Sequence, residues 1–327
     1  MLFRRRGLSG RSRPGPGAAL AALFARFVLL LLGGRPAAFA PPGGRRPRWP
    51  LALVLVAALP FADGLCPPRS PLRVATFNIE NYPKSSRQEA GAFEAIRGVE
   101  ASAIGVQEIV EPEAFAEAAR RRLGPAWRFV HAEGGPKQRV GVLFDGGALE
   151  LVSTHTYRET EAVYPGAKPT FEARLRPKPS VSFFGAGAGE VLRLMVVHLK
   201  AQGDGVDLRR AQLKALRPVF AAAMGSGERV VLLGDFNATD DSDRDELAAL
   251  AAATGATWAS RELPCTSYWA RPDGCRGSAL DHVFTWAEPR RIAAEGPCES
   301  EGCSPGSRCP IFREEVSDHC PVAVDLR

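Results

Sequence analysis

Polar side chains recur at one kind of place in this chain, the end of a short apolar run. Asn78 closes the first run, Gln107-Glu108 the second and His198 a later one, while Gly234-Asp235-Phe236-Asn237 follows the most hydrophobic of all, Val230–Leu233. Ser317-Asp318-His319-Cys320-Pro321-Val322 opens the last. A strand interior buries its side chains, whereas its final residue faces whatever cleft the sheet edge opens. Taken singly, each has an ordinary structural explanation: Asn78 caps a turn, Glu108 is a solvated loop acid, Asp235-Phe236-Asn237 is an Asx turn. Five in this order, each at the end of a run, do not. Asn, Glu and Asp oxygens suit a hard divalent cation that keeps several waters, Mg²⁺ or Mn²⁺ first and Ca²⁺ as a further candidate. Two His and two Asp remain for proton transfer and charge stabilisation, an inventory that fits hydrolysis of a phosphoester. There is no Gly-x-Ser-x-Gly nucleophile elbow, no P-loop and no Gly-x-Gly-x-x-Gly.

The elements that must carry these residues are legible from Leu72 onward. Apolar, β-branched runs bounded by turn residues read as strands: Leu72–Ile79, Ala103–Gln107, Val140–Phe144, Leu149–His155, Ser180–Phe184, Val191–His198, Arg229–Gly234, His282–Trp286 and Pro321–Asp325. Ala-, Glu- and Arg-rich stretches of helical spacing lie between some of them: Gln88–Val99, Glu113–Leu123, Gly205–Ala223 and Asp243–Thr254. The mixture predicts a layered α/β or α+β domain, about Pro71–Arg327. Strand pairs joined by short connections in its middle predict mixed sheets. Tyr157–Pro179, rich in Pro, Arg and Lys, reads as a long loop laid over a site.

The basic balance, +6 over 327 residues, says little about partners once the charges are located. Residues 1–66 hold ten Arg, no Lys and one acid, Asp63. Removing these from the totals of 42 basic and 36 acidic residues leaves 32 against 35, so the domain itself is mildly acidic. The leader has a basic start, an apolar run Ala18–Leu32, a small-residue site Ala38-Phe39-Ala40, and a second basic stretch before the apolar run Pro50–Ala62. Both runs suit signal-peptide cores and are short for a bilayer span, which predicts an exported protein, secreted, periplasmic or anchored through residues 1–66. Cysteine usage agrees. Cys265, Cys275, Cys298, Cys303 and Cys309 crowd into Gly/Pro/Ser-rich loops and with Cys66 make six, which permits fifteen pairings. Cys265 and Cys275 flank a short polar loop and are expected to pair, with Cys320 left as a buried thiol. Zinc is disfavoured because no Cys-x-x-Cys occurs.

The ordered set Thr76-Phe77-Asn78, Gln107-Glu108, His198-Leu199-Lys200, Gly234-Asp235-Phe236-Asn237, Leu280-Asp281-His282-Val283 and Ser317-Asp318-His319-Cys320-Pro321-Val322 resembles the endonuclease/exonuclease/phosphatase superfamily over about Leu72–Leu326. The resemblance implies a four-layer α/β sandwich, two mixed β-sheets packed face to face with helices outside. It implies a metal held by Glu108 with Asn78 nearby, Asp318 completing the metal or phosphate environment, and Glu80 as an outer partner. His319 would be the general base, oriented and made more basic by Asp281. Asp235 would position the nucleophile or accept its proton, and Asn237 and His198 would stabilise charge developing on the phosphoryl oxygens. Arg176, in Arg176-Pro177, is the expected phosphate contact. One departure stands out: where deoxyribonucleases carry an acid to partner the histidine equivalent to His198, this chain has Lys137-Gln138-Arg139. That puts an acid role for His198 in doubt.

Nucleic acid is the first expected substrate, since Asn78-Ile79-Glu80-Asn81 looks similar to the opening of bacterial extracellular nucleases. A sphingomyelin or phospholipid phosphodiesterase, or an inositol-phosphate phosphatase, is the alternative. A lipid enzyme would want an exposed apolar hairpin, for which Tyr268-Trp269 is the one candidate. A binding module that has lost its chemistry would have a broken motif set, and this one is whole. A monomer without an obligate protein partner is expected.

Overall fold

Four consecutive apolar residues, Val230–Leu233, have no polar face because both faces of their strand are covered. Val231 and Leu233 point into the core between two sheets, Val230 and Leu232 into the core beneath helices. The structure is a computed structural model and describes residues 72–178 and 190–327. The leader, Cys66 and the expected strand Ser180–Phe184 lie outside the described residues.

One six-stranded sheet has the order β13-β14-β1-β2-β4-β3, from Arg291–Ala294 (β13), Val322–Asp325 (β14), Arg73–Tyr82 (β1), Ala103–Ile109 (β2), Arg139–Asp145 (β4) and Trp127–His131 (β3). The other has the order β5-β6-β7-β8-β12-β9, from Leu149–Tyr157 (β5), Thr170–Pro177 (β6), Leu192–His198 (β7), Arg229–Asp235 (β8), Asp281–Thr285 (β12) and Thr257–Trp258 (β9). Both are mixed: β1 runs parallel to β2 and β7 to β8, and their other neighbours are antiparallel. Ser86–Val99 (α1) and Pro112–Leu123 (α2) cover the first sheet, Val206–Met224 (α3) and Asp241–Thr254 (α4) the second. This is the expected four-layer sandwich. The layers meet closely at Gly105 of β2, where a Cβ would lie 2.3 Å from Leu233 Cδ1.

The helices begin where side chains cap them. Ser85 accepts the Gln88 N–H ahead of α1, and Asp240 accepts the Asp243 N–H ahead of α4. Left-handed residues end both, Glu100 and Gly255. Arg209 of α3, fully buried, makes two hydrogen bonds to Asp243 of α4 at 2.9 and 2.6 Å and reaches the carbonyls of Lys200 and Gln202. It thereby ties the turn after His198 to the outer helices.

Two expectations are corrected. The segment Tyr157–Pro179 is a loop only to Pro169, and β6 follows. Phe171, Ala173 and Leu175 alternate inward while Glu172, Arg174 and Arg176 face out, so charges on the outer face hide a period-2 strand. The cysteine pairing also differs: Cys265 bonds Cys303, Cys275 bonds Cys309 and Cys298 bonds Cys320. Cys265 and Cys275 sit on the paired segment Ser267–Arg271 (β10) and Gly274–Ser278 (β11) or just before it, and each reaches out to the 303–309 loop instead. Cys320 is therefore not a free thiol. With Tyr268 these six sulfurs form a small core of their own. The short helices Pro297–Ser300 (α5) and Ile311–Glu315 (α6) complete the lobe.

Closing the 22-residue separation between Cys298 and Cys320 restricts the unfolded chain by about 3 kcal/mol. Replacing both with Ala lowers the stability of the protein by about that amount in a urea melt. An unchanged midpoint shows that the bond adds nothing to the fold.

Candidate active site

Strand parity decides which side chains meet. Val74, Thr76 and Asn78 of β1 point between the sheets, as do Leu192, Leu194, Val196 and His198 of β7, Val231, Leu233 and Asp235 of β8, and Val283 and Asp281 of β12. The inter-sheet core is apolar until its last layer, and there the same parity delivers Asn78, His198, Asp235 and Asp281. Parallel β1, β2, β7 and β8 end at this edge, while antiparallel β12 and β14 begin at it. Glu108 ends β2 with φ 62°, Asn237 follows β8 with φ 51°, and Glu80 and Asn81 of β1 have φ 40° and 57°. These left-handed backbones are uncommon for residues other than Gly, and those of β1 and β2 interrupt the ladder between Asn78 and Tyr82, where the polar groups collect.

His319 is wedged between two buried carboxylates. Its Nδ1 is 2.7 Å from Asp281 Oδ2, and its Nε2 is 3.8 Å from both Asp235 Oδ2 and Asp318 Oδ1. Thr266 donates to the same Asp281 oxygen at 2.7 Å and accepts the Leu280 and Asp281 N–H groups. Ser317 Oγ accepts the His319 N–H and donates to the Asn78 carbonyl, joining the last motif to the first. Burial alone opposes a charge on the His319 ring, but Asp281 and Asp235 outweigh it and hold the pKa well above the ordinary imidazole value. Burial pushes Asp235 up to about 7, against the pull of His319 and with the push of Asp281.

Glu108 stands on the other side of Asp235. Asn78 Nδ2 donates to Asp235 Oδ2 at 3.0 Å and to Glu108 Oε1 at 3.4 Å, while Asn78 Oδ1 accepts the Glu80 N–H. Glu108 Oε2 accepts from the Asn81 N–H and from Gln138 Nε2. Burial raises the Glu108 pKa, with His319 and Lys168 pulling it back. His198 Nε2 lies 3.7 Å from Glu108 and 3.6 Å from Asp235. Its Nδ1 is buried with no partner, and burial together with Lys168 and His319 drives its pKa well below the ordinary value. The ring is therefore neutral. Of Lys137-Gln138-Arg139, where an acid would partner this histidine in deoxyribonucleases, Gln138 donates to Glu108.

The remaining expected residues divide. Asn237 donates its backbone N–H to Asp235 Oδ1 and its side-chain amide to the Leu199 carbonyl, so it orients the aspartate. Glu80 accepts the Asp318 N–H and pairs with Lys84, which braces the turn behind the site. Arg176 is not brought here. It lies at the far end of β6, 3.3 Å from Glu150, because β6 runs antiparallel to β7 and its first residues are the ones beside His198. Lys168, just before β6, occupies the place expected of Arg176. Burial lowers its pKa, and Glu108 and Asp235 oppose that. The sequence signal for Lys168 was a Lys-Pro pair inside a stretch already read as overlying a site.

Four carboxylates, Glu108, Asp235, Asp281 and Asp318, thus surround two basic side chains, Lys168 and His319, and two of the acids are held above their usual pKa. This fits a divalent cation. One ligand atom each of Asp235, Asp281 and His319 fall within 4.8 Å of one another. Asp281 is fully buried, however, and its Oδ2 already takes two hydrogen bonds. The half-open side formed by Glu108 and Asp318 better suits an ion that keeps its waters.

The profile of the Endonuclease/Exonuclease/phosphatase family matches residues 75–319. No curated protein sequence matches the chain. Among solved structures, D. rerio TDP2 complexed with single strand DNA product superposes with a TM-score of 0.57 at 15% identity, covering 78% of this chain and 98% of that one. The human nocturnin catalytic domain with bound sulfate anion gives 0.57 at 18% identity, covering 79% and 94%. A mannosyl-6-phosphatase of Bacteroides thetaiotaomicron gives 0.57 at 15% identity, covering 78% and 99%. All three share the four-layer fold.

The raised carboxylates give a sign to metal linkage. A carboxyl whose folded pKa exceeds its unfolded one weakens the fold as pH rises through that interval, from about 4 to about 7 for Asp235. A divalent ion opposes that loss once the acids are ionised and competes with protons below it. Mg²⁺ therefore raises Tm more at about pH 8 than at about pH 5, read by scanning calorimetry against EDTA. An equal shift at both pH values shows that the ion binds elsewhere.

Proposed function

The chain belongs to the Endonuclease/Exonuclease/phosphatase family, and from that footing we propose that it is an exported, divalent-metal-dependent hydrolase of phosphodiester bonds in nucleic acid. The observation that carries this reading is His319 held between Asp281 and Asp235 at the sheet edge, with Glu108 across from it. With Nδ1 engaged by Asp281, the ring presents Nε2 to the cleft. There, in its neutral form, it takes a proton from a water that Asp235 and Asp318 orient. Lys168 and the neutral His198 face the same cleft and offset charge that builds on the phosphoryl oxygens. Held by Glu108 and Asp318, a Mg²⁺ or Mn²⁺ ion would supply charge neutralisation at the phosphate and a more acidic water.

Three disulfides suit an oxidising compartment, which supports export. Among the described residues no helix is long and apolar enough to cross a membrane. Nucleic acid is favoured as substrate because a fold neighbour is solved with single-stranded DNA product. A soluble phosphomonoester is the second reading, since another neighbour is a mannosyl-6-phosphatase. The lipid reading loses one of its two aromatics: Tyr268 is buried, its hydroxyl donating to the Pro297 and Gly302 carbonyls, while Trp269 stays exposed.

His319→Ala lowers Mg²⁺-dependent nicking of plasmid DNA by about 10²–10⁴-fold, the usual contribution of a positioned base. Wild-type cleavage of sphingomyelin or of a sugar phosphate without nicking of DNA refutes the nucleic-acid assignment and leaves the hydrolase.

A further inference from the structure

The hairpin β10–β11 belongs to neither sheet and is fastened on every side but one. Cys265 at its base is bonded to Cys303 and Cys275 in its second strand to Cys309. The Gly277 N–H donates to the Cys303 carbonyl and the Cys275 N–H to the Gly306 carbonyl. Its first strand is stitched to the motif that carries the base. Ser267 pairs with His319 in an antiparallel bridge, and the Tyr268 N–H donates to the Asp318 carbonyl at 2.7 Å.

That pairing fixes what the hairpin shows to the cleft. Residues directly opposite in an antiparallel bridge send their side chains to one face, and along a strand every second residue shares a face. Ser267, Trp269 and Arg271 therefore leave on the face of His319, and Arg276, opposite Trp269, joins them. Tyr268 points the other way, into the sulfur-lined core. Trp269 is 42% exposed, and Arg271 and Arg276 are exposed beside it with one acid, Asp273, between them. Two residues of strand put the indole about 7 Å along the chain from Ser267.

We propose that this hairpin is a stacking platform for a base of a single-stranded nucleic acid, adjoining the phosphodiester presented to His319. The inference rests on the nucleic-acid reading above. Trp269 offers a flat face to any base, and Arg271 and Arg276 complement the flanking phosphates. The disulfides hold the platform at a fixed reach, so little ordering is lost on binding. Ile311, 71% exposed, is the other large apolar side chain bared in this lobe. Two apolar groups among arginines make a stacking surface rather than the continuous apolar face a bilayer demands.

The test compares binding of a fluorescent dT12 with that of a 12-mer of abasic residues carrying the same phosphates. It uses full-length His319→Ala protein with Mg²⁺ and reads fluorescence anisotropy. The background binds dT12 about tenfold more tightly than the abasic strand, and adding Trp269→Ala abolishes that preference, whereas Trp269→Phe keeps most of it. A preference that survives Trp269→Ala overturns the proposal, as does Trp269→Ala acting instead on attachment to sphingomyelin vesicles. Retained thermal stability of Trp269→Ala excludes unfolding as the cause. Wild-type protein that cuts DNA while Trp269→Ala keeps the base preference sinks this inference alone. Wild-type protein that hydrolyses only non-nucleic phosphoesters sinks it together with the substrate assignment.

Discussion

Asp235 and Asp281 face one another on neighbouring antiparallel strands, both buried. Carboxylate oxygens within 4.8 Å repel by about 3 kcal/mol at an effective dielectric of about 20. That exceeds what a typical exposed ion pair returns, so the pair cannot be left bare. His319 resolves it by bonding one and approaching the other: burial first, with Asp281 adding to it, raises the pKa of Asp235, and the two carboxylates raise that of the ring against the opposing effect of burial. Glu108 adds a third, half-buried acid on the far side, where Asn78 bridges it to Asp235 and Lys168 partly balances it. The site is electrostatically unfinished in the direction that a cation and a phosphate would complete.

Holding such a cluster open requires support outside it, and the support comes from three directions. Gln88 of α1, fully buried, donates to the carbonyls of Ile79, Glu80 and Val316, fixing the turns after β1 and before His319. Arg209 holds the turn after His198 from the opposite helical layer. The disulfide lobe holds the third side, because Cys320 is the residue after His319 and its N–H donates to the Thr266 carbonyl while Thr266 itself binds Asp281. Reduction of Cys298–Cys320 would free the chain on which the base sits. The Cys298–Cys320 bond and Asp281 are thereby connected through one residue, Thr266.

The sequence was most readable where residue type and strand parity carried one message. Asn78, His198 and Asp235 were found because each extends an apolar alternation into a polar last position, Asp281 came from the family resemblance, and the structure places all four in one layer. Lys168 and Arg176 show where this fails. Both are basic residues beside a proline, and only the direction of β6 decides which reaches the site. That direction was hidden because Glu172, Arg174 and Arg193 form ion pairs on a sheet face without a covering helix, so the strand looks like a charged loop. Disulfide partners were equally out of reach of spacing, since Cys265 and Cys275 lie near each other along the chain yet each bonds the 303–309 loop.

The same contrast bears on how specificity is built. The catalytic layer is set by strand ends and tolerates little freedom: a Cβ at Gly234, one residue before Asp235, would lie 2.1 Å from the Val197 carbonyl oxygen. The segments proposed to meet the substrate are instead the 158–169 loop that delivers Lys168 and the β10–β11 hairpin that delivers Trp269. Loops ordinarily exchange precision for variability. Here the hairpin is denied that freedom by Cys265–Cys303 and Cys275–Cys309, while Lys168 of the 158–169 loop stands half-buried in the field of Glu108 and Asp235. Cross-links outside the layer of acids and histidines thus hold in place a segment that borders it.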